Sequence, residues 1–261
     1  MRKRTPRHPQ ALTVVLLAVG VALLSAGFLL AARDVQSADE MATLAETAHA
    51  AEATPQAVAQ GDASGIDWDA LTSQNPDTVA WLQVSDTSVD VPVVQSSPED
   101  PDHYLYRDFW DAPSDTGCPY LDSLCEADGT VMVVYGHRTL YRDYMFHDLS
   151  GAFEQGAFDT LGPASWSTPA GGQASLAPLC SASVDRWDTA WQSVSKVMDV
   201  QALRVWLDWA VSASSASSEA AGALASSATR ALVLVTCNGR AFHPETRTVT
   251  VFVSTSVDPV V

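Results

Sequence analysis

The stretch from Ala231 to Val253, ALVLVTCNGRAFHPETRTVTVFV, limits the fold of this chain more than any other. It opens on a run of aliphatic and β-branched residues, Leu232 to Val235, which reads as a buried strand. The run ends on Thr236-Cys237, and Asn238-Gly239 is a turn signal. A polar loop with Pro244 follows, and Arg247 leads into a second β-rich run, Thr248 to Val253. A thiol therefore sits at the tip of one strand, and a guanidinium sits ten residues later at the mouth of the next. If the two strands are neighbours, Cys237 and Arg247 lie side by side. A cation next to a thiol favours the thiolate and can hold a developing oxyanion.

Taken alone, a Cys at a strand end is usually a small core hydrophobe, and an Arg opening a strand is usually a solvated edge charge. A third element upstream changes the balance. Val131 to His137, VMVVYGH, is again a β-run. It ends on a Gly that permits close approach and a His at the strand tip. A His and a Cys far apart in sequence, each at a strand end, form a Cys/His constellation.

Short β-rich segments recur along the chain: Val79–Val84, Val89–Val94, Cys118–Leu121, Thr130–Tyr135, Ser175–Ser183, Ala231–Thr236 and Arg247–Val253. Regularly spaced strands separated by polar turns predict a mainly β domain, a closed barrel or a sandwich. Two helices interrupt it. Asp143 to Phe158 is weakly amphipathic, through Met145, Phe146, Leu149 and Phe153. Val200 to Val211 is clearer, with Val200, Leu203, Leu207, Ala210 and Val211 at helical spacing. Ser212 to Thr229 is Ala/Ser-rich, either an extension of that helix or a flexible loop.

The order of these motifs resembles the sortases, the membrane-anchored cysteine transpeptidases of Gram-positive cell walls. Tyr135-Gly136-His137 follows one strand, Thr236-Cys237 ends another, and Arg247 comes ten residues on. Asn75 to Leu82, NPDTVAWL, is similar to the family's NPDVVGWI opening, and Val89 to Gln95, VDVPVVQ, to its IDYPVVQ strand. Tyr104-Leu105, Asp108-Phe109 and Gly117 to Asp122 resemble a segment typical of class B. Met145-Phe146 and Leu149 resemble the segment after the His. The helix before the Cys-bearing strand also fits class B. The resemblance spans residues 66–253 and implies a closed eight-stranded sortase-type β-barrel with peripheral helices, preceded by one transmembrane helix.

The chemistry follows from the three residues. Cys237 is the candidate nucleophile, attacking a peptide carbonyl to form an acyl-enzyme. His137 is the candidate general acid for the leaving amine and then the base for the incoming one. Arg247 is the candidate holder of the oxyanion. The resemblance implies cleavage of a C-terminal sorting signal of secreted proteins after Thr. Transfer then goes to an amine of peptidoglycan precursor or of a pilin. No metal or organic cofactor is required. Asp90 falls at a family position near the active site, where it either orients His137 or is simply a turn-adjacent strand Asp. Thr236 is expected to orient the loop by backbone hydrogen bonding. Arg240, three residues from the thiol, is the rival cation to Arg247. His103, His147 and His243 read as surface residues. After Cys237 the chain departs from class B, with Asn238-Gly239-Arg240 where a small polar residue and an aromatic are common. That leaves contacts on the substrate side open.

The N-terminal quarter sets the location. Residues 1–10 carry Arg2, Lys3, Arg4 and Arg7 and read as a cytoplasmic tail. Residues 11–32 contain no charge, enough helix at about 1.5 Å per residue to cross a bilayer. The basic flank predicts a single-pass membrane protein with its catalytic domain outside the cell. A cleaved signal peptide is the other reading, but its apolar core is shorter. Residues 33–65 are Ala-, Glu- and Gln-rich, a spacer that buries little, with a marginal helix around Ala38 to Ala51. Residues 66–261 form the catalytic domain. The net charge of −17 disfavours nucleic acid as a partner.

Four cysteines complete the inventory. Cys118 and Cys125 either pair across a short loop or stay free, since an exported domain permits disulfides. Cys180, in an apolar strand, reads as a packing residue. No C-x₂₋₄-C pair exists, so a zinc site is not expected. Two other classes fit part of the pattern. One is a cysteine hydrolase or amidase acting on peptidoglycan, which usually places Cys before His. The other is a non-catalytic membrane-tethered surface module, in which Cys237 is inert.

Overall fold

The structure is a computed structural model that describes residues 9–49, 65–139, 144–170, 172–238 and 245–254. Nine strands form one sheet: β1 (Thr78–Val84), β2 (Asp90–Gln95), β3 (Tyr120–Leu121), β4 (Val131–Tyr135), β5 (Ala164–Ser167), β6 (Gln173–Asp185), β7 (Ala216–Ser217), β8 (Arg230–Cys237) and β9 (Thr246–Ser254). Their order is β5-β1-β2-β3-β4-β8-β9-β6-β7, and β5 also pairs with β6. That last pairing closes eight strands into a barrel and leaves β7 hanging on β6. Closure removes the exposed edges that an open sheet of this size would present.

All seven strands expected from the sequence are present, within two residues at nearly every boundary. Two were not expected. β5 reads ASWS, with no β-branched residue to mark it, yet Ala164 and Trp166 are buried and it closes the ring. β7 is two residues of the Ala/Ser-rich tract. The rest of that tract includes the helix Ala221–Ser227, so it neither continues the preceding helix nor stays a plain loop.

The expected helix over Asp143–Phe158 is not formed as such, and its first residue lies outside the described residues. In its place stand a 3-10 turn, Asp148–Gly151, and one turn of α-helix, Gln155–Phe158. Met145, Phe146 and Leu149 are buried as expected, whereas Phe153 is only partly buried and Phe158 takes a core position instead. The backbone does not follow their helical spacing, because Met145 takes a left-handed φ of 55° and Glu154 is extended. The other helix is sound, running Val200–Ala213 with Asp199 as its N-cap and Leu203, Trp206, Leu207 and Ala210 buried.

The longest helix, α1 (Pro9–His49), carries the apolar span and continues through much of the expected spacer. Side chains such as Leu16, Leu23 and Phe28 are exposed along the span. Beyond it, Ala38, Met41, Leu44 and Ala48 are buried. They recur every three or four residues and so share one face. That part of the chain therefore buries more than its composition suggested: few apolar residues suffice when all lie in one stripe. The amide of Asp67 bonds the Ala48 carbonyl at 3.0 Å, and a short helix, α2 (Trp68–Gln74), follows.

Candidate active site

Two register facts assemble the site. Strands β8 and β9 are antiparallel, and Cys237 is the direct partner of Arg247. Directly opposed residues send their side chains to the same face, so thiol and guanidinium share it. Strands β4 and β8 are parallel, with Tyr135 opposite Val235, and the Gly136 amide bonds the Val235 carbonyl at 3.1 Å. Cys237 ends β8 two residues past Val235, and His137 stands two residues past Tyr135, the last residue of β4. With a side-chain period of two, Cys237 emerges on the same face as Val235. Three residues spread over about a hundred positions thus stand at one end of three adjacent strands.

Gly136 is fixed by packing. A Cβ there would lie 2.6–2.9 Å from ring atoms of Phe146, which is fully buried. The chain after His137 folds back, with the Phe146 amide bonding the His137 carbonyl at 3.3 Å.

The imidazole of His137 is half-buried, and its Nε2 lies 2.8 Å from the Leu105 carbonyl oxygen. A carbonyl only accepts, so Nε2 carries the proton and Nδ1 keeps its lone pair. Burial holds the pKa of His137 below the ordinary histidine value; the Leu105 bond opposes this, the Arg247 cation adds to it, and Asp115 opposes it. The resting imidazole is therefore neutral at pH 7. Tyr106, 65% exposed, sits with its ring centroid 6.4 Å from that of His137. Neither Leu105 nor Tyr106 stood out as a site residue in the sequence. The signal was the Tyr104-Leu105 pair within the class B-like segment.

All four cysteines are free. No disulfide joins Cys118 to Cys125. Burial pushes the thiol of Cys125 up to about 11 and that of Cys180 up to about 12, and raises Cys118 further. These three stay protonated and inert. Cys237 alone is partly exposed.

The two remaining sequence candidates are placed differently. Asp90 accepts a hydrogen bond from Trp81 Nε1 at 2.6 Å and lies 3.1 Å from His49 Nε2. Its carboxylate is not bonded to His137. Thr236 is buried, and its hydroxyl has no hydrogen-bond partner, so only its backbone, opposite Thr248, can orient the loop. His103 and His147 are not idle surface residues: His103 bridges Asp100 and Asp111, and His147 bonds the Thr139 carbonyl. Arg240 and His243 lie outside the described residues. Among the described residues no group of His, Cys, Asp and Glu is arranged to hold a metal ion.

A closed barrel of this order, with a thiol and a guanidinium paired across its last two strands, is a sortase fold, most like class B. Comparison with solved structures gives the same answer. The chain is similar to a mutant form of Clostridium perfringens sortase B (24% identity, 82% of this chain and 96% of that one, TM-score 0.67). It is similar to C. perfringens sortase B itself (26% identity, 71% and 97%, TM-score 0.61). It also resembles the Staphylococcus aureus sortase B of a substrate complex (19% identity, 87% and 99%, TM-score 0.66). No protein-family model matches the sequence, and no curated protein matches it.

Proposed function

We propose that this protein is a cysteine transpeptidase of the sortase type. It cleaves a C-terminal sorting signal of secreted proteins after Thr and passes the acyl group to a cell-wall or pilin amine. The observation that carries this reading is the register that sets Cys237 opposite Arg247, on a strand paired with the one that leads to His137.

In the reading, the sulfur of Cys237 adds to the scissile carbonyl as its thiol proton passes to the neutral imidazole of His137. The new oxyanion is held by Arg247, whose fork can give two hydrogen bonds. The leaving amine takes a proton from His137 as the C–N bond breaks, which leaves a thioester on Cys237. The neutral imidazole then removes a proton from the incoming amine as that amine attacks the thioester, and the thiolate leaves. An apolar helix anchors the enzyme, with the barrel outside the cell.

Product analysis tests this reading. The full-length protein in detergent is given a peptide library based on Asn-Pro-x-Thr-x, with and without an added amine such as triglycine. An amide product ending on the added amine supports transpeptidation. Hydrolysis alone, unaffected by the amine, favours the hydrolase class. No reaction in wild type and an unreactive Cys237 would favour a non-catalytic module.

A further inference from the structure

The hydrogen bond that fixes His137 is made by a backbone carbonyl, and the structure shows what holds that carbonyl still. Leu105 ends a 3-10 turn, His103–Leu105, where a carbonyl has no partner within the turn. Its oxygen is therefore free to receive Nε2–H of His137 at 2.8 Å.

Gly117 returns against this turn. The Cys118 amide bonds the Tyr104 carbonyl at 3.0 Å. Gly117 has a φ of +59°, and a Cβ on it would lie 2.6 Å from the Tyr104 oxygen and 2.8 Å from the Leu105 oxygen. Both are backbone atoms, which cannot swing aside like a side chain. One end of the turn is also pinned. Buried Tyr104 donates its hydroxyl proton to Asp77 at 2.7 Å and accepts from Asn75 Nδ2 at 3.1 Å. Asn75 Nδ2 also reaches the Phe109 carbonyl at 2.7 Å. Any side chain at position 117 must therefore move the Leu105 carbonyl, because the Tyr104 end is held.

We propose that Gly117 is a positioning residue for His137, acting through the Leu105 carbonyl that it backs. The carbonyl selects the Nε2–H tautomer and leaves Nδ1 as the nitrogen able to exchange a proton at the reaction centre. Among the described residues the imidazole makes no other hydrogen bond: the Tyr106 ring lies near it, and Arg247 and Asp115 act on it through their charge. The inference rests on the reading of His137 as acid and base, but its first readout does not need turnover.

The test uses full-length protein with ¹⁵N-labelled histidine in detergent micelles. Long-range ¹H–¹⁵N spectra above the titration of His137 report which ring nitrogen holds the proton, with His137→Ala as the assignment control. Wild type is expected to show Nε2–H. Gly117→Ala is expected to give a mixture with Nδ1–H, and to lose about 10- to 100-fold in kcat, the scale of a misplaced catalytic group, with little change in KM. Should that variant fail to fold, Tyr104→Phe carries the test. It releases the pinned end without adding an atom, and is expected to loosen the tautomer in the same direction. A folded Gly117→Ala, or Tyr104→Phe in its place, that keeps the wild-type tautomer and kcat would overturn the proposal. A variant that releases the tautomer in a protein that turns over no peptide would uphold this inference while sinking the functional reading.

Discussion

Cys237 and Arg247 are register partners across β8 and β9, so the backbone ladder itself sets their separation. A rigid pair of this kind predicts that Arg247 is hard to replace. Arg247→Ala is expected to lower kcat/KM for a sorting peptide by about 10²-fold or more, the usual cost of losing an oxyanion donor. Arg247→Lys should recover little, because a point-charge ammonium lacks the planar fork. Near-normal cleavage by Arg247→Ala, with loss in Arg240→Ala, would move the oxyanion role to Arg240.

The titration of His137 gives a second prediction. Its folded pKa is depressed, by burial first and then by the Arg247 cation. Removing that cation must raise it, so His137 in Arg247→Ala should titrate at higher pH than in wild type. For stability the sign runs the other way from a salt-bridged histidine. The unfolded chain takes up this proton first, near pH 6.5. The stability linked to neutral His137 is complete above that value and is lost as pH falls through the folded pKa. Thermal melts of wild type and His137→Gln between pH 7.5 and 5 should therefore converge towards acid.

Gly136 abuts the buried ring of Phe146. Gly136→Ala is expected to cost about 1–3 kcal/mol by overpacking, with a lower midpoint in urea unfolding. Pairing it with Phe146→Leu should return part of that loss, since the two changes share one contact. Additive losses in the double variant would show that the glycine serves something other than this ring.

Asp90 joins the α1 helix to the barrel through His49 and Trp81. Asp90→Ala is therefore expected to leave peptide cleavage within about threefold of wild type. Its effect should appear as faster proteolytic nicking near the end of α1, because a local opening costs less once its contacts are gone. A loss of 10²-fold in kcat with α1 still protected would return Asp90 to the active centre.

Most of the strands were legible because they carry β-branched residues in runs, and the candidate triad because His137 and Cys237 close such runs and Arg247 opens one. What stayed hidden has physical reasons. Strand β5 closes the barrel with Ala, Ser and Trp, and its pairing partners lie in β1 and β6, far off in sequence. The apolar spacing of Met145, Phe146 and Leu149 is met by an irregular chain as well as by a helix. Leu105 contributes a carbonyl, which every residue has, so no side-chain pattern announces it. Asp90 sits where a strand begins, but its partner His49 comes from a helix 41 positions earlier.

The unbroken run of α1 past the apolar span has one further consequence. From the end of that span to His49 the helix rises about 25 Å, at 1.5 Å per residue. With the span in a bilayer, a stiff rod of that length, clasped to the barrel at its far end, acts as a mooring post. The rim that carries Cys237 and Arg247 is then held at a set height above the lipid.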